Sequence, residues 1–390
     1  MEIRAVREED REAVEQLWDY CFEKRDDPFF RWFFTRHYKK ENTLASFRHG
    51  RMATCLHLMP YRLFLRGRIL PASFIVGLAA FPEARGTGDI HRLLQAALHE
   101  SRERGQFVNI LMPSKPGYYY PLQWELCYHQ YKYALPLEDL RPLATAGGVF
   151  QTVRGDADWS ALQTVYESFT EDKHGYAIRD EHYWRRLIEE HTAEGGFVYL
   201  LTFDGIPGGY IFYHLAAKEL TVREMAWTNE TALGALFRFL YQHRSQARYL
   251  EWQAPVEDLT CFRLPDPKNQ VMLQPFMAGR VVDAAKALSA IAYAPEISLK
   301  TVLQIQDELA PWHGRAIEME ISAGNADCKY IDTATPEFSC SIGTFSQLFF
   351  GRISAKNMHK SGRIQTNFPG NIAKLDMLFP PRVNYINEYY

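Results

Sequence analysis

The sequence predicts a mixed α/β protein, α+β in arrangement, built as three consecutive domains. Three observations carry that expectation. The 390 residues are too many for one core and suit two or three domains of ordinary size. A succession of helix-like and strand-like segments before residue 147 returns in the same order between about 150 and 285. From about 286 the pattern changes to short strands and helices ending in FPPRVNYINEYY, whose aromatic density suits packing better than a free tail. Domains are therefore expected at 1–147, 148–285 and 286–390.

Within the first domain, Ala13, Val14, Leu17, Trp18 and Cys21 recur at helical spacing, and an aromatic-rich helix is expected over Pro28 to Tyr38. His49-Gly50 and Arg66-Gly67 read as hairpin turns between strands. A strand near Phe74–Phe81 leads into ARGTG, and Ile90, Leu93, Leu94, Ala97 and Leu98 mark one face of the helix that follows. Another strand is expected over Phe107–Met112. In the second domain, helices carry Leu162, Val165, Tyr166 and Phe169, then Tyr183, Trp184, Leu187 and Ile188. Strands flank DGIPGG, ELTVREMAWT forms another, a helix follows with Leu233, Leu236, Phe237 and Leu240, and RYLEWQA closes the series. Where the first domain has Arg-Gly-Thr-Gly, the second has WTNETALG, with capping residues but neither glycine pair nor arginine.

Composition narrows the function. Hydrophobic residues make up 47% and charged residues 23%, and the net charge of −3 gives no reason to expect nucleic acid or an anionic membrane as partner. The charged opening Met1–Ala13 does not read as a signal peptide, and the uncharged run Ile69–Pro82 is too short for a bilayer, so a cytoplasmic protein is expected. The six cysteines form no CxxC pair and the thirteen histidines show no HExxH spacing, so no metal is expected. There is no GxSxG elbow and no GxxxxGK[ST] loop.

The glycine pair is the informative motif. A helix N-terminus leaves backbone N–H groups unpaired, glycines let an anion approach them, and Arg85 could add a charge-assisted hydrogen bond. The same residues also read as a strand-to-helix turn with a solvated arginine. A dinucleotide site fits poorly, because GxGxxG spacing and a ribose carboxylate are missing. FPEARGTGDIHRLL resembles the pyrophosphate-binding segment of GNAT acyltransferases, Arg/Gln-x-x-Gly-x-Gly/Ala, with Arg85 and Gly88 at its first and fourth positions and Ile90 where a small residue is usual. The resemblance implies that acetyl-CoA enters between strands at Leu78, Ala79 and Ala80 and at Phe107–Met112, with its pyrophosphate on Arg85, Gly86, Thr87 and Gly88.

Two GNAT-like units, the second without the motif, followed by a small α/β domain similar to sterol carrier proteins, resemble the Eis (enhanced intracellular survival) acetyltransferases over essentially the whole length. ELAPWHGRA, GTFSQLFFGRISA and the aromatic terminus carry the resemblance in the third domain. It implies an acetyl-CoA-dependent N-acetyltransferase active in the first domain, and a hexamer. No carboxylate lies on Ala72–Phe81 and Glu83 reads as solvated, so the base is expected elsewhere. In the Eis family it is the main-chain carboxylate of the last residue, here Tyr390. The general acid is a tyrosine five residues after a serine. In PSKPGYYYPLQWEL, Ser114 and the Trp124-Glu125 pair select Tyr119 over Tyr118 and Tyr120, although three tyrosines in a row also suit plain packing.

The acceptor is expected to be a primary amine, on a small cationic molecule or a lysine side chain. Asp26, Phe30 and Trp32, in CFEKRDDPFFRWFF, are candidates for its pocket wall, and the stretch reads equally as a solvated acidic turn beside core aromatics. Aminoglycoside-acetylating relatives carry an acid just before the terminus, whereas Tyr389 stands here. The alternative is a lipid or acyl-CoA binding protein that works through the C-terminal domain.

Overall fold

The computed structural model describes residues 1–154, 159–332 and 335–389. The chain first forms β1 (Glu2–Ala5), α1 (Arg11–Cys21), α2 (Pro28–Trp32), β2 (Thr43–Arg48), β3 (Arg51–Leu65), β4 (Arg68–Ala80), α3 (Asp89–Glu103), β5 (Val108–Leu111) and β6 (Glu125–Leu126). It continues through β7 (His129–Pro136), β8 (Val149–Thr152), α4 (Trp159–Thr170), α5 (Glu181–Ala193), β9 (Phe197–Phe203), β10 (Ile206–Ala216), β11 (Glu219–Trp227), α6 (Glu230–Tyr241), β12 (Tyr249–Ala254) and β13 (Val271–Pro275). The last part holds β14 (Ala278–Val281), α7 (Ala284–Ala290), β15 (Leu299–Gln306), β16 (Ala316–Ser322), β17 (Asn325–Ile331), β18 (Phe338–Ser341), α8 (Ile342–Phe350), α9 (Ala355–Lys360), β19 (Ile364–Gln365) and α10 (Ile372–Leu378). Among the described residues no helix is long and apolar enough to cross a membrane.

Two compact units result: Met1–Tyr128 with His174–Ile178 and Phe276–Tyr390, and His129–Lys173 with Arg179–Pro275. The first holds a sheet ordered β1-β2-β3-β4-β5-β14-β6 and the smaller sheet β17-β16-β15-β18-β19 of the C-terminal domain. The second holds β13-β7-β12-β11-β10-β9-β8. Two strands thus depart from the expected linear boundaries at 147/148 and 285/286. β7 pairs with β12 in the second sheet, and β14 pairs with β5 and β6 in the first. The physical reason lies in the first sheet itself. β6 is two residues long and cannot cover β5, whereas β14 is buried throughout and pairs with all of β5. Gly279 lets it sit there, because a Cβ would meet the Phe350 ring at 2.8 Å.

Local sequence explains the rest of the first unit. Asp27 caps α2 by accepting from the Phe29 N–H at 2.8 Å, with Pro28 at the first helical position. The aromatic helix is regular only to Trp32 and continues to His37 as a turn of π-helix. His49-Gly50 and Arg66-Gly67 form hairpin turns with positive φ at both positions. Arg66, at the second tip, is almost fully buried, and its guanidinium donates to the carbonyls of Leu348, Phe349 and Pro380. Its own N–H donates to His174 Nε2, so His174 Nδ1–H donates to Asn384 Oδ1 at 2.6 Å, and Asn384 donates to the Cys127 carbonyl. The segment before the C-terminus is thereby stitched into the first unit.

Burial pushes His57, His174 and His191 down to about 3, so each sits uncharged in the fold. The unfolded chain takes up these protons below about pH 6.5, so their contribution is complete above that pH and is lost as pH falls toward 3. Calorimetry is expected to show stability falling between pH 6.5 and 5, above the carboxylate range, by about 2 kcal/mol per histidine at pH 5. A His57→Gln variant should lose part of that slope. A melting temperature independent of pH in this window would contradict the assignment.

Candidate active site

The site is positioned by the parallel neighbours β4 and β5. They pair from Ala72/Val108 to Ile75/Leu111, after which β4 runs on with β3 as far as Ala80/Thr54. Past Ile75 the two strands part. β4 also bulges there, since Cys55 faces Ala79 and His57 faces Val76, leaving Gly77 and Leu78 opposite Leu56 alone. Gly77 has φ +60°, and a Cβ on it would stand 2.5 Å from the Trp18 ring and 2.9 Å from His57. Only glycine fits this bulge. Leu78, Ala79 and Ala80, the expected acyl-binding residues, are its continuation.

The expected phosphate loop follows. Arg85, Gly86, Thr87 and Gly88 are all exposed and lie between a short 3₁₀ turn at Pro82–Ala84 and α3. Gly86 and Gly88 have φ of +74° and +82°, and a Cβ at either would meet nothing within 4 Å. Backbone conformation requires glycine here, and open space stands before it. The Arg85 Nε donates to the Ala80 carbonyl at 3.2 Å, and Thr87 Oγ1 donates to the Ala84 carbonyl. Asp89, in the first turn of α3, is fully buried and takes a bidentate pair from Arg48 at 2.6 and 2.7 Å. Its charge is therefore compensated. Glu83 is exposed, as expected.

After β5 comes the tyrosine loop. Ser114 is exposed; Tyr118 and Tyr120 are 67% and 40% exposed. Tyr119 alone turns inward, packing on the cluster of Ile75, Leu93, Leu94, Leu98, Leu111 and Trp124. Burial raises its phenol above the usual tyrosine value, so it stays protonated at neutral pH. The Tyr119 carbonyl accepts from the N–H groups of Leu122 and Trp124. Trp124 is fully buried, and Glu125 opens β6 with its carboxyl raised by burial and paired to Arg363 at 3.1 Å.

Sequence reasoning missed the group beneath this loop. Arg280, on β14, is fully buried, donates to the Leu122 carbonyl at 2.7 Å and lies 4.7 Å from the Trp124 ring centre. Asp307 neutralises it at 2.6 Å and is held in turn by His313 Nδ1 at 2.8 Å and by two backbone N–H groups. An arginine more than 150 residues from the loop offers no local signal. Only its occurrence in an otherwise apolar strand, FMAGRVV, could have raised suspicion.

The acceptor candidates are not brought together. Asp26 is exposed on the turn after α1, whereas Phe30 and Trp32 are buried in α2. Phe30 packs on Phe34 at 4.6 Å and Trp32 on His37 at 5.5 Å, so both serve the aromatic core around Trp18 and Phe33. The residues before the terminus are inward. Asn384 to Glu388 are buried and Tyr389 packs on Phe276 at 5.1 Å. Tyr390 lies outside the described residues.

The comparisons with known proteins agree with this fold. Residues 2–127 and 175–281 each match a family model described as an acetyltransferase (GNAT) domain, and residues 284–387 match a sterol carrier protein domain. An uncharacterized N-acetyltransferase of Streptomyces griseus is 26% identical over 371 residues, 86% of each chain. A conserved Enterococcus faecalis protein described as a probable N-acyltransferase shares the fold with a TM-score of 0.87, at 19% identity over 100% of this chain and 99% of its own. Eis1 of Mycobacterium abscessus shares it with a TM-score of 0.77, at 18% identity over the full length of both. With two acetyltransferase domains ahead of a sterol carrier protein domain, the chain belongs to the GNAT acetyltransferases and has the Eis-like domain order.

Proposed function

We propose that this acetyltransferase moves an acetyl group from acetyl-CoA to a primary amine, in the cleft where β4 and β5 part. The observation that carries this reading is the inward turn of Tyr119 beside that opening, with the open glycine loop of α3 on the same pair of strands. The Arg85–Gly88 loop binds the pyrophosphate through backbone N–H groups and the Arg85 guanidinium. The neutral amine nitrogen attacks the acetyl carbonyl carbon, the carbon–sulfur bond breaks, and Tyr119 gives its phenolic proton to the departing thiolate. The amine proton goes to a base, which we assign to the main-chain carboxylate of Tyr390.

The acceptor is a small cationic molecule or a lysine side chain. No observation favours the lipid-binding alternative. One cavity of the C-terminal domain, between Ile305, Phe345, Leu348 and Phe379, measures about 10 Å³, room for a single water rather than an acyl chain.

Three experiments test this reading. Arg85→Ala should weaken CoA binding by about 1–3 kcal/mol, the range for a lost charge-assisted hydrogen bond. Gly88→Val should weaken it further, since valine both fills the open approach and resists a φ of +82°. Unchanged affinity in both variants, read by titration calorimetry, would remove the loop from the site. Tyr119→Phe should lower kcat roughly 10²-fold or more with CoA affinity kept, and Tyr118→Phe and Tyr120→Phe should be mild. Greater sensitivity at either neighbour would displace the assignment. An affinity tag after Tyr390 turns its carboxylate into an amide and should cost roughly 10²–10⁴-fold in kcat at unchanged melting temperature, while an N-terminal tag is harmless. Full activity of the C-terminally extended protein would overturn the terminal base.

A further inference from the structure

The second unit repeats the cleft and reverses its charge. β11 and β12 are parallel neighbours, paired from Glu219/Tyr249 to Val222/Trp252 and not beyond, and α6 follows β11 as α3 follows β4. Where these strands part, the unit contains a cavity of about 620 Å³, its wall including Phe169, Lys173, Trp227, Glu230, Glu257 and Asp258. That volume suits a small-molecule ligand.

The mouth of α6 does not suit a phosphate. Asn229 accepts from the Ala232 N–H at 3.0 Å, occupying a donor that an anion would need, and Glu230 puts a carboxylate in the first turn. Arg263, in the same lining, is bound to Glu230 at 2.6 Å. Over the whole lining, Glu171, Asp172, Glu230, Glu257 and Asp258 face only Lys173 and Arg263 as positive groups. A pyrophosphate would enter against net negative charge.

The same wall is well made for an ammonium. Phe169 and Trp227 meet edge to face at 4.8 Å. The Lys173 ammonium lies 4.4 Å from the Phe169 ring centre, 2.9 Å from Asp172 and 3.3 Å from Glu257, with its side chain 9% exposed. A primary ammonium between carboxylates and an aromatic face is therefore already a stable arrangement in this cavity. Both Glu257 oxygens are closed off from solvent, and neither has a well-aligned hydrogen bond, Lys173 Nζ at 3.3 Å being the ion-pair partner. Burial accordingly raises the Glu257 carboxyl above the usual carboxylate range, and positive charge elsewhere in the cavity would offset that cost through space, since oxygens closed to solvent take no direct contact from a ligand.

We propose that the second GNAT domain binds a small organic di- or polyamine in the cleft beside α6, where the first domain is built for an acyl-CoA. The negative excess exceeds one charge, which selects a ligand with more than one ammonium. Carboxylates around it hold the amine protonated, and a protonated amine is no nucleophile. This cleft therefore binds amine without acetylating it, and the inference stands whether or not Tyr119 is the acid of the first domain.

The test is titration calorimetry of the full chain with spermidine, without acetyl-CoA, at two salt concentrations. Glu257→Gln, which keeps the shape of the side chain, is expected to weaken spermidine binding at least tenfold. A diol of matching length should not bind. Unchanged spermidine affinity in Glu257→Gln would overturn the proposal, as would equal affinity for the diol. Amide hydrogen exchange of the unsubstituted protein gives a reading that needs no variant. Spermidine should slow exchange in residues 168–173 and 227–233, and slowing confined to the first unit, or none, would also overturn it.

Discussion

A guanidinium inside a protein must be neutralised and fully hydrogen-bonded, or its desolvation works against the fold. Arg280 is neutralised and donates through both terminal nitrogens, with only its Nε left without a partner, and it does so in a way that ties the candidate active site together. It sits on β14, reaches the Leu122 carbonyl of the tyrosine loop and the Trp124 ring, and is neutralised by Asp307 of the C-terminal domain. His313 completes the set by bridging Asp307 to the Ala284 N–H. The loop that carries Tyr119 has only 3₁₀ turns of its own. What anchors it is this buried network and Trp124 in the core, not local secondary structure.

The entry of β14 into the first sheet is what makes the network possible. A chain that completed its first sheet with neighbouring residues could have closed it with β6, but two residues do not cover β5. Bringing back a strand from after the second unit supplies the missing neighbour and fastens the C-terminal domain beneath it, through α8 and the contact of Phe350 with Gly279. Arg66 and His174 add a second fastening, at the hairpin tip of β3 and β4. The third domain is thereby built into the unit that carries the proposed chemistry.

Much of this was legible in the residues where the controlling physics is local. His49-Gly50 and Arg66-Gly67 marked hairpins because both positions need positive φ, and Leu93, Leu94, Ala97 and Leu98 marked the buried face of α3 because helical spacing puts them on one side. The glycines of the loop were read as room for an anion. Their backbone turns out to require glycine as well. What stayed hidden depends on long-range pairing. Nothing near 129–136 or 278–281 reveals which sheet takes each strand. Phe30 and Trp32 read equally as pocket wall or as core aromatics and stand buried, because an aromatic stretch reads the same in either role. The charge reversal in the second cleft needed the fold, since Lys173, Glu230 and Glu257 lie far apart along the chain.

The two units start from the same strand arrangement and differ at one helix mouth, Arg-Gly-Thr-Gly against Thr-Asn-Glu. The central claim is that this difference assigns acyl-CoA to the first cleft alone. Mapping the CoA footprint by amide hydrogen exchange on the full chain tests it most directly. The account predicts slowed exchange at Gly86 to Arg92 and in the Tyr119 loop, with Trp227 to Leu233 unaltered. Protection at Trp227 to Leu233, with the first loop unchanged, would contradict it.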